Sequence, residues 1–187
     1  MDEFGYLSVL LSIVIGLAMT EILQGLRQRM LAVDRVKPYL PTKLWAGTLL
    51  LVSAQMWWAM FDYRNRHDWV FEQFFVLLTQ AILLYLAAGL VFPEFHGSGT
   101  IDFREHYYRQ RTRFFSLLLA GTLASLYRDW AFNRSLPDRA NLIFHLLYIA
   151  VAVTAIATAR EWYHKFLALF MTAVFVFYIT TLFTRLH

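Results

Sequence analysis

Residues Tyr6–Leu26 read YLSVLLSIVIGLAMTEILQGL, and this stretch decides the fold. A helix that crosses a bilayer needs about 20 mostly apolar residues. The stretch meets that length with one ionisable residue, Glu21, near its end. It lacks the alternation of apolar and polar residues that marks a barrel strand, and it is about twice the 9–11 residues such a strand uses. Hydrocarbon offers no partner for backbone N–H and C=O groups, so a spanning segment satisfies its own, as a helix does. Tyr6–Leu26 is therefore predicted to be a membrane-spanning helix. It does not read as a cleaved leader. Met1-Asp2-Glu3 is acidic where a leader is basic, and Glu21, Gln24 and Arg27 stand where a small-residue cleavage site would follow.

Working outward, five more stretches have the same character: Leu44–Asp62, Val70–Phe92, Arg113–Phe132, Ala140–Ala159 and Tyr163–Thr184. The fourth is the weakest, because Arg128 and Asp129 lie in its last turn. Proline, which cannot continue a helix ladder, punctuates the pattern. Pro38 and Pro41 lie in the first connection, Pro93 closes the third span and Pro137 precedes the fifth. Gly97-Ser98-Gly99 falls in the longest connection, Pro93–Thr112.

Composition agrees. The 187 residues are 59% hydrophobic and 16% charged, against about 45–50% and about 25% for a soluble domain. Such apolarity excludes disorder and exceeds what a soluble domain of this size can bury. The absence of cysteine excludes a disulfide scaffold. The expected fold is all-α: one integral-membrane domain over residues 1–187, a polytopic bundle of six helices with no soluble domain.

Lys and Arg collect on the cytoplasmic side of a membrane protein. Of the seventeen, eleven lie on the side of the two long connections and six on the other. Both termini are therefore predicted outside. The net charge of +4 reads as this bias plus attraction to anionic headgroups, and not as a nucleic-acid signal. Arg104, Arg109, Arg111 and Arg113, interleaved with Tyr107 and Tyr108, read either as a headgroup site or as an interfacial helix lying on the membrane. Trp57, Trp58, Trp69, Trp130 and Trp162 lie near span ends and read as an interface belt.

Polar residues inside spans are where activity is sought. Ser8, Ser12, Gly16 and Thr20 recur every four residues, followed by Gln24, and read as a small-residue face for helix packing. Glu21 reads as a proton or cation ligand, or as an interfacial partner of Arg27 or Lys43. Gln55 and Gln80 agree in depth to within roughly 5 Å at the rise of a helix and are expected to form an interhelical amide pair. At the outer side Asp62, Glu72, Arg128, Asp129 and His145 read as interfacial ion pairs or as a pocket for a polar or anionic ligand. Mid-depth positions, Ser53, Thr122, Thr154 and Thr172 among them, are neutral, unlike those of a proton pump. No filter, Walker, serine-elbow or HExxH motif is present. His145 is outer and His164 inner, so they do not form a haem pair. Glu94, His96, Asp102, Glu105 and His106 match no strong metal spacing. No cofactor or metal is expected. Residues 1–92 and 113–187 have the parity of an inverted repeat without visible self-similarity.

The stretch Phe4–Arg27, with its S-I-x-x-G-L-x-x-T core, the W-W-x-M-F-D-Y-R of Trp57–Arg64 and the F-P at Phe92–Pro93 resemble an uncharacterised family of small bacterial membrane proteins. The resemblance covers about the first half of the chain. It implies a bacterial inner-membrane protein and supplies no activity.

Three roles follow. The favoured one is a non-enzymatic accessory or oligomeric membrane component, built on the small-residue face. The second is a channel or transporter for a neutral or weakly polar solute, using Gln55, Gln80, Glu21 and the Arg128/His145 cluster. The third is an enzyme acting on outer-leaflet lipid, with His145 as a base oriented by Asp62 or Asp129. The neighbours of these residues discriminate: convergence on one cavity favours the last two, and separate dry pairing favours the first.

Overall fold

The computed structural model describes residues 3–95 and 99–182. The fold is helical: α1 Glu3–Leu31, α2 Leu40–Ala59, α3 Phe71–Gly89, α4 Phe103–Asn133, α5 Arg139–Ala157 and α6 Glu161–Leu182. Five helical segments are long and apolar enough to cross a membrane: Glu3–Leu31, Leu40–Tyr63, Phe71–Gly89, Arg139–Ala157 and Glu161–Thr181. The exception is α4, which joins the basic segment to the fourth apolar stretch in one helix of 31 residues. That corrects the expectation of a separate interfacial helix over Arg104–Arg113. Asp102 starts α4 by accepting from the N–H groups of Arg104 and Glu105, and Asp138 starts α5 by accepting from that of Asn141. Both satisfy donors that a first turn leaves unpaired. Pro41 sits in the first turn of α2 rather than in the connection, where its missing N–H costs nothing.

The helices form a ring. α1 packs between α3 and α2, α4 between α3 and α5, and α6 against α2. α5 and α6 close the ring through side chains, with the Phe144 and Tyr178 rings 4.9 Å apart. The two long connections meet at one end. There β1, Val36–Lys37, pairs in parallel with β2, Ile101–Asp102. We call this the connection end, and the opposite one the terminal end.

The inner face of α1 is Leu11, Ile15, Ala18, Ile22 and Gly25, an alternating 4,3 spacing that holds one side of a helix. The small-residue series is a different face. Ser8, Ser12 and Gly16 are half-buried, and Thr20 and Gln24 are exposed. A strict four-residue step overshoots the 3.6-residue turn, so the series winds about 40° per step away from its neighbours. It lies beside the buried stripe rather than on it. Gly25 is where α1 makes its close approach: a Cβ there would overlap the ring of Phe92. Gly25→Ala is expected to destabilise the fold by about 1–3 kcal/mol, the cost of overpacking, read as a lowered midpoint in denaturant titration. An unchanged midpoint would show that Phe92 swings clear at no cost.

Candidate functional site

The ring encloses a chamber of about 240 Å³ to which all six helices contribute. Its walls are helical stripes. On α2 the stripe runs Trp45, Leu49, Val52, Gln55, Ala59; on α4, Phe115, Leu118, Thr122, Ser125, Arg128; on α5, Asn141, His145, Tyr148, Ala152. Each steps by three or four residues and so holds one face. The α4 stripe extends about 20 Å at the helical rise.

Gln55, Gln80, Arg128 and His145 come together on this chamber. Glu21, Gln24, Asp62 and Asp129 are not among its lining residues. Glu21 is half-buried on the flank of α1, Gln24 is exposed, and Asp62 is exposed in the short turn after α2. The expected amide pair is not formed: the Oε1 of Gln80 is buried without a protein partner. Arg128 donates from Nε and Nη2 to one oxygen of Asp129, at 3.0 and 2.7 Å, so the positive charge at the chamber wall is balanced in place. Glu72 belongs to a separate set. It accepts from the Tyr127 hydroxyl at 2.6 Å and pairs with Arg134 at 3.6 Å.

His145 has neither expected carboxylate. Its Nδ1 lies 2.8 Å from the Asn141 carbonyl oxygen and its Nε2 lies 3.0 Å from the Ser125 hydroxyl. Asp62 sits outside the chamber and Asp129 is taken by Arg128, which is the physical reason. Ser125, Asn141, Tyr148 and Tyr178 were not singled out by sequence. Tyr178 donates to Asn141 Oδ1 at 3.3 Å, and the Tyr148 hydroxyl is buried without a protein partner. The available signal was spacing: Asn141, His145 and Tyr148 share a helix face, as do Ser125 and Arg128.

Aromatic rings floor the chamber toward the connection end. Trp45 packs edge-on against Phe114 and Phe115, each at 5.4 Å. Phe115 lies 5.7 Å from His164, which is fully buried. His164 Nε2 donates to the Thr158 carbonyl and Nδ1 accepts from the Tyr107 hydroxyl, both at 2.9 Å. Arg111 donates to the carbonyls of Thr158 and Ile156, at 2.7 and 3.3 Å, closing the end of α5. Arg111 is therefore engaged within the protein. Arg104 is likewise engaged, with Glu161 at 2.8 Å, and that hydrogen bond raises its pKa. Arg109 and Arg113 stay exposed. At this same end burial pushes the His106 imidazole down and the Tyr39 hydroxyl up. Their partners are the Leu90 carbonyl at 2.9 Å and the Tyr108 hydroxyl at 3.0 Å.

No family model, curated protein or solved structure matches the chain. Among the described residues no group of three or more His, Cys, Asp or Glu is placed to hold a metal ion. His96, from the weak metal pattern, lies outside the described residues, as do Met1, Asp2, Gly97, Ser98 and positions 183–184 of the sixth expected span.

Proposed function

We propose that the protein is a bacterial inner-membrane carrier for a small, largely apolar, uncharged solute held in the chamber. In this reading α4 supplies the sixth span through residues 113–132, and both termini lie outside, as the eleven-to-six bias of Lys and Arg favours. The resemblance to small bacterial membrane proteins supports the compartment. Exposed Arg109 and Arg113 then meet anionic headgroups.

The convergence of Gln55, Gln80, Arg128 and His145 on one chamber carries the proposal. The chemistry narrows the solute. Arg128 is already balanced by Asp129, and both ring nitrogens of His145 are engaged, so no charge is left for an ionic ligand. Gln80 Oε1 and the Tyr148 hydroxyl are an acceptor and a donor without protein partners. Leaving such groups unmatched costs about 1–3 kcal/mol each, which a ligand with one donor and one acceptor recovers. The chamber lies below the about 300–1,000 Å³ of drug-sized pockets, so the solute is small.

Gly121 lines the chamber, and a Cβ there would meet open space. Gly121→Trp is therefore expected to fill the chamber and leave the fold intact. The probe is 4-nitrobutyranilide, small, uncharged and carrying a donor and an acceptor, with the protein in nanodiscs. Equilibrium dialysis is expected to show binding at least about tenfold weaker in the variant, the loss of about 1.4 kcal/mol. Equal binding in both would return the protein to the accessory role, with each polar residue acting as helix glue.

A further inference from the structure

We propose that Ser125 and His145 form a nucleophile–base pair that cleaves small carboxylic esters inside the chamber. The proposal rests on the reading that the chamber admits a small uncharged molecule.

Several hydroxyls inside these helices are spent on their own backbone, while that of Thr48 reaches across to Thr172 at 2.9 Å. Ser53 donates to Leu49, Thr122 to Leu118 and Thr172 to Ala168, at 2.8, 2.9 and 2.7 Å. Such back-bonding is the ordinary fate of Ser and Thr in a helix. Ser125 turns its hydroxyl across to α5, 3.0 Å from His145 Nε2. The direction of that bond follows from the other side of the ring. Nδ1 lies 2.8 Å from the Asn141 carbonyl oxygen. A carbonyl only accepts, so Nδ1 carries the proton. Nε2 then presents its lone pair, and the Ser125 hydroxyl donates to it. This is the tautomer that a general base needs, held by a third group, the arrangement that activates a serine.

A further donor lines the same chamber: Tyr148, one turn from His145 on α5. The Tyr148 hydroxyl is buried without a protein partner. Donors fixed beside a nucleophile stabilise the oxyanion of a tetrahedral intermediate.

The chemistry balances. Ser125 Oγ bonds to the ester carbonyl carbon as Nε2 takes the hydroxyl proton. The carbonyl π electrons move to oxygen. Collapse breaks the bond to the alkoxy oxygen, which leaves as the alcohol with the proton from Nε2. Water, giving a proton to Nε2, attacks the acyl–Ser125 carbon. Ser125 Oγ leaves and recovers that proton, and the carboxylic acid departs. Ester and water become acid and alcohol.

The test treats the protein in nanodiscs with a short-chain alkyl fluorophosphonate, from which a reacting serine expels fluoride, and follows hydrolysis of 4-nitrophenyl butyrate. The expected result is a phosphonyl adduct on the Ser125 peptide by mass spectrometry. It is absent from Ser125→Ala, blocked in Gly121→Trp, and formed about 100-fold more slowly in His145→Gln. Tyr148→Phe is expected to lower ester turnover about 100-fold, beyond the about tenfold loss of 4-nitrobutyranilide binding that goes with one hydrogen bond. Absence of the adduct in wild-type protein that binds the anilide overturns the proposal and leaves the carrier reading standing. An adduct rate unchanged in His145→Gln overturns it too. Wild-type binding of the anilide no tighter than in Gly121→Trp removes both readings together.

Discussion

Asp129→Ala is expected to cost about 3–5 kcal/mol, the loss seen when one partner of a buried ion pair is removed and the other is left uncompensated. Both Arg128 bonds converge on a single Asp129 oxygen, at 3.0 and 2.7 Å. The two side chains are only 24% and 12% exposed. Without the carboxylate the guanidinium stays at the chamber wall with no counter-charge. The double variant Asp129→Ala/Arg128→Leu is expected to regain most of the loss, because it removes the stranded charge as well as its partner. Denaturant titration of the purified protein measures both. A single variant within about 0.5 kcal/mol of wild type, the scatter of a neutral surface change, would show that water or a lipid phosphate replaces Asp129.

His164→Ala is expected to be of similar size, about 3–5 kcal/mol, as for large-to-small changes of buried rings. His164 ties α4 to the turn before α6 through Tyr107 and Thr158, each at 2.9 Å. It also packs against Tyr107, Tyr108 and Phe115 at 5.4, 5.6 and 5.7 Å. Truncation opens a void and strands the Tyr107 hydroxyl. Tyr107→Phe removes only the hydroxyl bond and is expected to cost about 1 kcal/mol. The difference between the variants measures ring burial against hydrogen bonding. Equal losses would place the whole effect in the hydrogen bond.

These two sites differ in how far the chain foretold them. Arg128 and Asp129 adjoin in sequence and stand out because charge is rare in an apolar run. In the sequence His164 stands out only as a histidine at the wrong depth for a haem pair. Its partner Tyr107 is 57 residues away, and no local pattern announces that meeting. Arg104 and Arg111 show the same limit. Both read as exposed basic residues, yet their partners, Glu161 and the end of α5, lie 57 and 47 residues off. The series from Ser8 to Thr20 lies off the inner stripe of α1 for a different reason. Its regularity suggested a face, but a face needs a mean step near 3.6 residues, and only Leu11, Ile15, Ala18, Ile22 and Gly25 keep it.

The sequence by itself determined the helices, because a helix satisfies its backbone locally and its length and apolarity are local properties. The starts of α4 and α5 are local too, with Asp102 and Asp138 reaching donors two or three residues ahead, but they do not stand out in the apolar pattern, which begins at Arg113 and Ala140. The sequence placed Gln55, Gln80, Arg128 and His145 at plausible depths without saying which way they faced. Tertiary structure alone decided that these four share a chamber, that α4 runs unbroken from its basic start, and that His145 meets Ser125 rather than a carboxylate. The reason is geometric: depth along a helix follows from residue count, whereas the partner across the gap depends on the rotation of each helix in the ring.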